Sequence, residues 1–403
     1  MTIVSHNRQM RELSRPDKTP LHIALMGTRG VPAAYGGFET AVEEIGKRLA
    51  SSGHRVTVYC RGGNATDSTY LGMDRVQLPA VHKKSLETLS HTALSVGHSL
   101  RHRPDVAFVF NAANSPFLPA LRALRVPVAL HMDGLEWRRS KWGPVGKKFY
   151  RTAELFGVRT ADALIADSPG IAEYYSHQFG AETELIKYGA PQLVHADDIG
   201  VRELGLSPGA YHLVVARFEP ENHVREIVAG YTKSKSSLPL VVVGSAPYAE
   251  DYTNEIQLIA ENDDRIHLLG AVYDQDLLDA LYFHAFTYVH GHSVGGTNPS
   301  LLRAIAAGTA VVAFDVSFNK AVVDSQGWFF RNPDDVASAL ESAEAAPERV
   351  EKISRFVREH AARNYTWDEV AEQYSNLALR LHSGESARPN HKKARRNVRS
   401  WDG

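Results

Sequence analysis

The feature that most restricts the fold of this chain is an alternation of short apolar segments with amphipathic helical patterns, and it occurs twice. The first series begins at residue 21 with LHIALMG, and the second begins at residue 211 with YHLVVAR. The apolar segments are nearly continuous hydrophobic runs, which is typical of strands covered by helices on both faces. Strands that alternate with helices predict parallel sheets. The sequence therefore predicts an α/β fold made of two doubly wound domains.

The stretch between the two series, APQLVHADDIGVRELGLSPGA, interrupts the alternation with two prolines and three glycines at residues 190–210. Ligands of doubly wound sheets bind beyond the carboxyl ends of the strands, so we expect both carboxyl edges to face a cleft between the domains. We divide the chain into a flexible leader (1–20), a first domain (21–195), a second domain (196–365), a C-terminal helix that packs back on the first domain (366–383) and a basic disordered tail (384–403).

Charge and cysteine content exclude several classes of function. The net charge is −1 and the pI is about 7.1, so no overall field favours nucleic acid as a partner. Cys60 is the only cysteine, which excludes an internal disulfide and any zinc site built on a CxxC pair. The first twenty residues lack the apolar core of a secretion signal, and no apolar run reaches the roughly 18 residues of a membrane span. We expect a cytoplasmic protein.

The C-terminal tail, ARPNHKKARRNVRSWDG, carries six basic residues before its single acid, Asp402. One interpretation is a solubilising end without further function. The other is electrostatic contact with an anionic lipid surface, which is worth roughly 1 kcal/mol for each basic residue near the membrane.

A long glycine-rich loop, GTRGVPAAYGGFET at residues 27–40, follows the first strand and opens a helix. Gly36 and Gly37 allow the backbone to approach a ligand, and the start of the helix offers free N–H groups. The spacing is not the GxGxxG of dinucleotide-binding proteins. The alternative is a purely structural strand-to-helix turn.

The segment HMDGLEWRRSKW, residues 131–142, lies at the end of another predicted strand. Trp137 and Trp142 could offer flat faces to a sugar ring, with Asp133 and Glu136 beside them to bind hydroxyls. The alternative is a charged surface turn whose two tryptophans belong to the core.

Two segments of the second domain suit a phosphate. In RFEPENH, Arg217 ends a strand, and a guanidinium is a fork of donors that matches a diphosphate. In HSVGGTNPSLLR, two glycines precede Asn298, the predicted helix cap, and Pro299, which suits the first helical turn. The free amides at this helix start predict an anion cradle, and Arg303 lies about one turn further along.

Two metal-like patterns have simpler explanations. DQD, at residues 274–276, resembles the metal-binding triplet of some sugar transferases, but it begins a helical pattern and is better explained as a cap. HGH, at residues 290–292, has no further acid or histidine nearby, so the sequence predicts no site there.

Taken together, GTRGVPAAYGGFET, DGLEWRRSKW, ARFEPEN and HSVGGTNPSLL resemble family-four glycosyltransferases of the GT-B fold, in the rhamnosyltransferase-type branch that makes cell-surface polysaccharides. The resemblance covers roughly residues 21–380. It implies two Rossmann-like domains facing a central cleft, with a nucleotide-diphosphate sugar on the second domain and a saccharide or polyprenyl-linked acceptor on the first. It also implies transfer with retention of configuration, without metal or cofactor, at the inner face of the membrane.

The match at single residues is incomplete. The family's strand-end arginine falls on Arg217, but its partner lysine falls on Asn222. The family's two glutamates, which contact the donor sugar and the ribose, fall on Gly295 and Arg303. We expect Arg303 to supply the positive charge that Asn222 lacks. The histidine that many relatives carry at the first domain's strand end falls on Asp133.

These assignments give three groups of expected site residues. The donor-binding residues are Gly36, Gly37, Arg217, Asn222, Gly295, Gly296, Thr297, Asn298, Ser300 and Arg303. The catalytic residues are Asp133 and Glu136, and the acceptor-binding residues are Tyr35, Glu39, Trp137 and Arg138. Two alternatives stay open, a nucleotide-sugar 2-epimerase of the same fold and a nucleotide-sugar-binding protein without activity.

Overall fold

A computed structural model describes residues 19–33, 37–62, 67–81, 86–132, 134–139, 142–245 and 249–386. The described residues form two sheets of the predicted kind. The first has eight strands in the order β3-β4-β2-β1-β5-β6-β7-β8, and the second has six in the order β11-β10-β9-β12-β13-β14. Every pairing is parallel except that of the short β3 with β4. The expected α/β fold of two doubly wound halves is confirmed.

The strands are short and mostly buried, as sheets covered on both faces require. Those of the first sheet are β1 His22–Met26, β2 Arg55–Arg61, β3 Thr69–Tyr70, β4 Met73–Leu78, β5 Val106–Phe110, β6 Val128–His131, β7 Ala163–Ala166 and β8 Glu184–Leu185. Those of the second sheet are β9 His212–Val215, β10 Leu240–Val243, β11 Ile266–Gly270, β12 Thr287–His290, β13 Ala310–Phe314 and β14 Trp328–Phe330.

Helices follow most of the strands. Those of the first half are α1 Gly37–Ser51, α2 Glu87–Ser99, α3 Leu118–Ala123, α4 Pro144–Thr160 and α5 Pro169–Phe179. Those that follow are α6 Ile199–Glu203, α7 Val224–Lys233, α8 Glu250–Ala260, α9 Gln275–Phe283, α10 Pro299–Ala307, α11 Ser317–Val322, α12 Pro333–Glu344, α13 Pro347–Asn364 and α14 Trp367–His382.

Period-two alternation along β1 divides the core of the first half. Ile23 and Leu25 pack in the cluster that contains α1 and α14, whereas Ala24 and Met26 pack in the cluster that contains α3, α4 and α5. The last helix, α14, lies on α1, where Asp368 pairs with Arg48 at 2.6 Å. The C-terminal helix therefore contacts the first half, although it follows the second half in sequence.

Short or irregular elements differ from the sequence expectation. The edge strand β8 is only two residues long, Glu184–Leu185. The predicted interruption at residues 190–210 contains the short helix α6, and neither α11 nor β14 was expected from the sequence. The division of the chain into five segments stays a prediction.

Candidate active site

The carboxyl edges of the two sheets meet at a close junction. Gly134 follows β6 and Asp167 follows β7, while Gly295 and Gly296 follow β12. A Cβ on Gly134 would lie 2.5 Å from the Gly295 Cα, and a Cβ on Gly296 would lie 2.1 Å from Asp167 Oδ1. Thr297 Oγ1 donates a hydrogen bond to the Asp167 carbonyl at 3.0 Å. The two halves are therefore in direct contact at the carboxyl edges of their sheets, where we expected the cleft.

Helix α10 begins at this junction with the predicted cap and the predicted first residue. Asn298 is the cap, and its Oδ1 accepts from the Ser300 amide at 2.9 Å. Pro299 is the first helical residue, so the predicted helix start is confirmed. Gly37, at the start of α1, lies opposite, since a Cβ there would be 2.8 Å from Pro299 Cγ. The helix start of each half therefore lies close to the other, which brings two sets of helix N–H groups to the junction.

Arg217 lies just beyond β9, at the same edge of the second sheet. Its side chain is 41% exposed, and Nη2 is 3.3 Å from Oε2 of the nearly buried Glu219. A half-exposed guanidinium with one carboxylate neighbour retains donors for a second anion. The position fits the expected contact with a diphosphate.

Asn222 uses both ends of its side-chain amide within the protein. Nδ2 donates to the Arg217 carbonyl at 2.8 Å, and Oδ1 lies 2.8 Å from His292 Nδ1. The expected role of Asn222 in binding the donor is therefore indirect in this geometry, because its amide holds the Arg217 loop.

Arg303 is ion-paired in the structure. Its Nη1 lies 2.5 Å from Oδ1 of Asp279 on α9. Burial raises the pKa of Asp279, and the Arg303 charge opposes that shift. We expected the positive charge of Arg303 to face a phosphate. In the structure it is largely balanced by the carboxylate of Asp279, 24 positions earlier in the chain.

The turn after β6 is held by Glu136. Its Oε1 accepts from Trp142 Nε1 at 3.1 Å, and its Oε2 pairs with Arg139 Nε at 2.8 Å. Both oxygens of the carboxylate expected to be catalytic therefore contact residues of the same segment. Glu136 shapes the turn that carries Arg139 into the junction.

Trp137 packs against the first half's core and is contacted by two arginines. The guanidinium carbons of Arg151 and Arg138 lie 4.6 Å and 5.3 Å from its ring, and its Nε1 is buried. Less of the Trp137 ring is therefore free to contact a sugar than we expected when we assigned Trp137 and Arg138 to acceptor binding.

The glycine-rich loop is fixed by acids on α1. The buried Glu39 accepts from the Arg29 amide at 3.1 Å, and Glu43 accepts from the Ala33 amide at 2.7 Å. Glu39 therefore stabilises the glycine-rich loop through a direct hydrogen bond. The other residues expected here, Tyr35 and Gly36, and the expected catalytic Asp133, lie outside the described residues.

Glu154 on α4 lies beneath the same turn and is almost completely buried. Burial raises its pKa to about 7, opposed by a hydrogen bond from Tyr174, which donates to Oε2 at 3.2 Å. The folded pKa exceeds the ordinary value, so the folded state binds the proton more tightly. The stability that this proton confers is present below about pH 4.5 and is lost as the pH rises through about 7.

We therefore predict that Glu154→Gln raises the melting temperature by several degrees at pH 8 and by much less at pH 5. A shift from 4.5 to about 7 corresponds to about 3 kcal/mol of pH-dependent stability. Differential scanning fluorimetry over this range measures the effect. Glu173→Gln, which changes an exposed acid on α5, is the matched control. Parallel pH profiles for wild type and Glu154→Gln would contradict the assignment.

Sequence reasoning missed several residues of the junction. Asp167 follows the strand DALIA directly, so the rule that ligands lie beyond strand ends could have identified it. His292 follows β12 by two residues and was set aside because HGH suggested only metal. Nothing in the sequence around Asp279 indicated a role for it, because that role is its ion pair with Arg303 on another helix.

DQD is confirmed as a cap, since Asp274 Oδ1 accepts from the amides of Asp276 and Leu277 at 3.0 and 3.2 Å. The described residues contain no group of three or more histidine, cysteine, aspartate or glutamate side chains placed to hold a metal ion. Within the same part of the chain, no helix has the length and apolar character to cross a bilayer.

Comparisons with known proteins agree with this architecture. Residues 211–345 match the family described as Glycosyl transferases group 1, and residues 21–191 match a domain of unknown function, DUF1972. No curated protein shows a significant sequence match to this chain.

Three solved structures show the similarity of fold. Sucrose-phosphate synthase from Thermosynechococcus elongatus superposes with a TM-score of 0.78 at 19% identity, covering 90% of this chain and 99% of that one. HepE of Anabaena in complex with UDP-glucose gives 0.73 at 15% identity, covering 89% and 99%. WaaG, a glycosyltransferase involved in lipopolysaccharide biosynthesis, gives 0.66 at 16% identity, covering 88% and 99%. Residues 211–345 therefore match the glycosyl transferases group 1 family, within a chain that has the GT-B fold.

Proposed function

We propose that this protein is a retaining, metal-independent glycosyltransferase that moves a sugar, rhamnose in our assignment, from a nucleotide-diphosphate sugar to a saccharide or lipid-linked acceptor of surface polysaccharide synthesis. The observation that carries this proposal is the start of α10. Its capped N terminus follows Gly295 and Gly296 and lies at the edge of the second sheet that also carries Arg217. The group 1 family match supports a transferase, and HepE, of similar fold, binds UDP-glucose.

Catalysis at this site is chiefly electrostatic in our proposal. As the bond from sugar to diphosphate breaks, negative charge grows on the leaving diphosphate. The amides of the α10 start and the Arg217 guanidinium are donors already in place for that charge, which is the arrangement that lowers a barrier most. In the same-face attack proposed for retention, the leaving diphosphate also accepts the acceptor's proton.

Product analysis tests this proposal. The protein is incubated with UDP-glucose, GDP-mannose and dTDP-rhamnose, each with polyprenyl-linked saccharide acceptors, and products are followed by NMR. We expect nucleoside diphosphate and a new glycoside of retained configuration, at equal rates with and without EDTA. An epimerised nucleotide sugar formed without net release of nucleoside diphosphate would favour the 2-epimerase, and binding without turnover would favour a non-catalytic protein. Loss of activity in EDTA, restored by magnesium, would contradict metal independence.

We further propose that helix α4 rests on an anionic membrane surface, where a lipid-linked acceptor would be found. Val145, Phe149 and Phe156 expose 85%, 37% and 38% of their surface and fall within an arc of roughly 40° on the helix. The helix also carries four exposed basic residues, while its only acid is buried. Exposed apolar groups beside cations suit anionic lipid. The basic tail, for which the sequence suggested the same role, lies outside the described residues.

Cosedimentation with vesicles tests the membrane proposal. We expect the protein to sediment with vesicles of phosphatidylcholine and phosphatidylglycerol, and the double variant Val145→Ser/Phe149→Ser to remain in solution. Leu258→Ser removes a similarly exposed apolar group from α8 and is expected to bind like wild type. Undiminished sedimentation of the double variant would contradict a role for α4.

A further inference from the structure

His292 has a fixed orientation at the junction of the two halves. Its Nδ1 lies 2.8 Å from Asn222 Oδ1. The orientation of that amide is determined independently, because its Nδ2 donates to the Arg217 carbonyl. Since Asn222 presents an oxygen, which only accepts, His292 Nδ1 carries the hydrogen. A neutral imidazole with the hydrogen on Nδ1 has its free lone pair on Nε2.

The Nε2 atom lies at the junction of the two halves, beside Gly295. Nε2 lies 3.3 Å from the position that a Cβ on Gly295 would occupy, and the Gly134 Cα of the first half lies 3.9 Å from the same point. In the described part of the chain, Nε2 makes no hydrogen bond. His292 therefore occupies space that a side chain at position 295 would need, and offers an acceptor there.

The surroundings keep the ring neutral. Burial lowers the pKa of His292 well below its ordinary value, and nearby His290, Arg139, Arg217 and His223 lower it further. A neutral Nε2 can accept a hydrogen bond but cannot donate one. It therefore does not suit a phosphate oxygen, which is an acceptor, and it does suit a hydroxyl.

We propose that His292 Nε2 accepts a hydrogen bond from a hydroxyl of the donor sugar and so helps to determine which sugar is bound. Nε2 lies beside Gly295, at the glycines that lead into α10, and next to Gly134 of the first half. A sugar attached to a diphosphate at the start of α10 would lie next to this junction. This inference rests on the proposed function, and it assigns to HGH a role in sugar recognition in place of metal binding.

Two conservative variants separate the two nitrogens of His292. Asn at this position can reproduce the Nδ1 contact with Asn222 but has no atom in the place of Nε2. Gln extends further and can place its Oε1 near the position of Nε2. Calorimetry measures the affinity of each variant for UDP and UDP-glucose, GDP and GDP-mannose, and dTDP and dTDP-rhamnose, and the comparison uses the nucleotide sugar that wild type binds most tightly.

We expect His292→Asn to bind the nucleotide sugar about threefold to tenfold more weakly than wild type, with affinity for the matching nucleoside diphosphate unchanged. His292→Gln is expected to retain most of the sugar-dependent affinity. An unchanged ratio of the two affinities in His292→Asn would overturn the inference, and so would equal losses for both ligands, since these would indicate damage to the Arg217 loop. If wild type binds nucleoside diphosphates but gains nothing from the sugar, this inference fails alone. If it binds neither ligand, the proposed function fails as well.

Discussion

Arg217→Ala is expected to lower donor turnover by about 100-fold to 1000-fold while leaving the melting temperature nearly unchanged. The side chain is 41% exposed and pairs with Glu219 at 3.3 Å, so its removal costs the fold little. A preorganised donor that faces the charge developing on a leaving group is worth about that factor in rate. Its contribution to binding of the diphosphate itself, a charge-assisted contact, is roughly 1.5–3 kcal/mol.

Single-turnover consumption of the best nucleotide sugar measures this effect. Arg225→Ala is the matched control, because Arg225 is a similarly exposed arginine on α7 that pairs with Glu226 and Glu255. Arg217→Lys should fall between wild type and Arg217→Ala, because an ammonium keeps the charge but loses the fork of donors. Turnover by a folded Arg217→Ala within threefold of wild type would refute the diphosphate assignment.

Gly296→Ala is expected to reduce both stability and turnover, because it forces the two halves apart. The added Cβ would lie 2.1 Å from Asp167 Oδ1 and 2.7 Å from its Cγ. This overlap can be relieved only if residues at the junction move. Overpacking of this kind lowers the free energy of unfolding by roughly 1–3 kcal/mol. A displacement of about 1 Å at a reacting centre can cost about 100-fold in rate. We expect a lower melting temperature and a loss of turnover that exceeds the loss of nucleoside-diphosphate affinity.

A double-mutant cycle isolates this contact. Asp167→Ala removes the three atoms that Gly296→Ala would meet, so the double variant should be more stable than the sum of the single effects predicts. Gly97→Ala, on α2 where a Cβ would meet no atom within 4 Å, should be neutral or slightly stabilising. Additive effects in the cycle would show that the halves do not meet at Gly296 and Asp167 in solution.

Local chemistry made much of this architecture predictable. The cap at Asn298 and the cap at Asp274 follow from patterns within a few neighbouring residues, and the structure confirms them. The position of Arg217 at a strand end was predictable for the same reason, because the hydrophobic run of a strand shows where the strand ends.

Contacts between distant segments were not predictable in the same way. The pairing of Arg303 with Asp279 depends on how α9 and α10 lie against each other, so the sequence alone left Arg303 available to a phosphate. The hydrogen bond that orients His292 joins it to Asn222, 70 residues earlier. Trp137 shows the same limit, since its position beneath Arg151 depends on the packing of α4.

Titration with nucleotides tests the central claim, that the α10 start and Arg217 hold the diphosphate of a sugar donor. Wild-type protein is titrated calorimetrically with UDP, dTDP, GDP and ADP, and then with the monophosphate of the base that binds best. We predict one-to-one binding of at least one diphosphate, with its monophosphate at least tenfold weaker because it lacks the group that these donors contact. Equal affinity for monophosphate and diphosphate, or no binding of any diphosphate, would contradict the account.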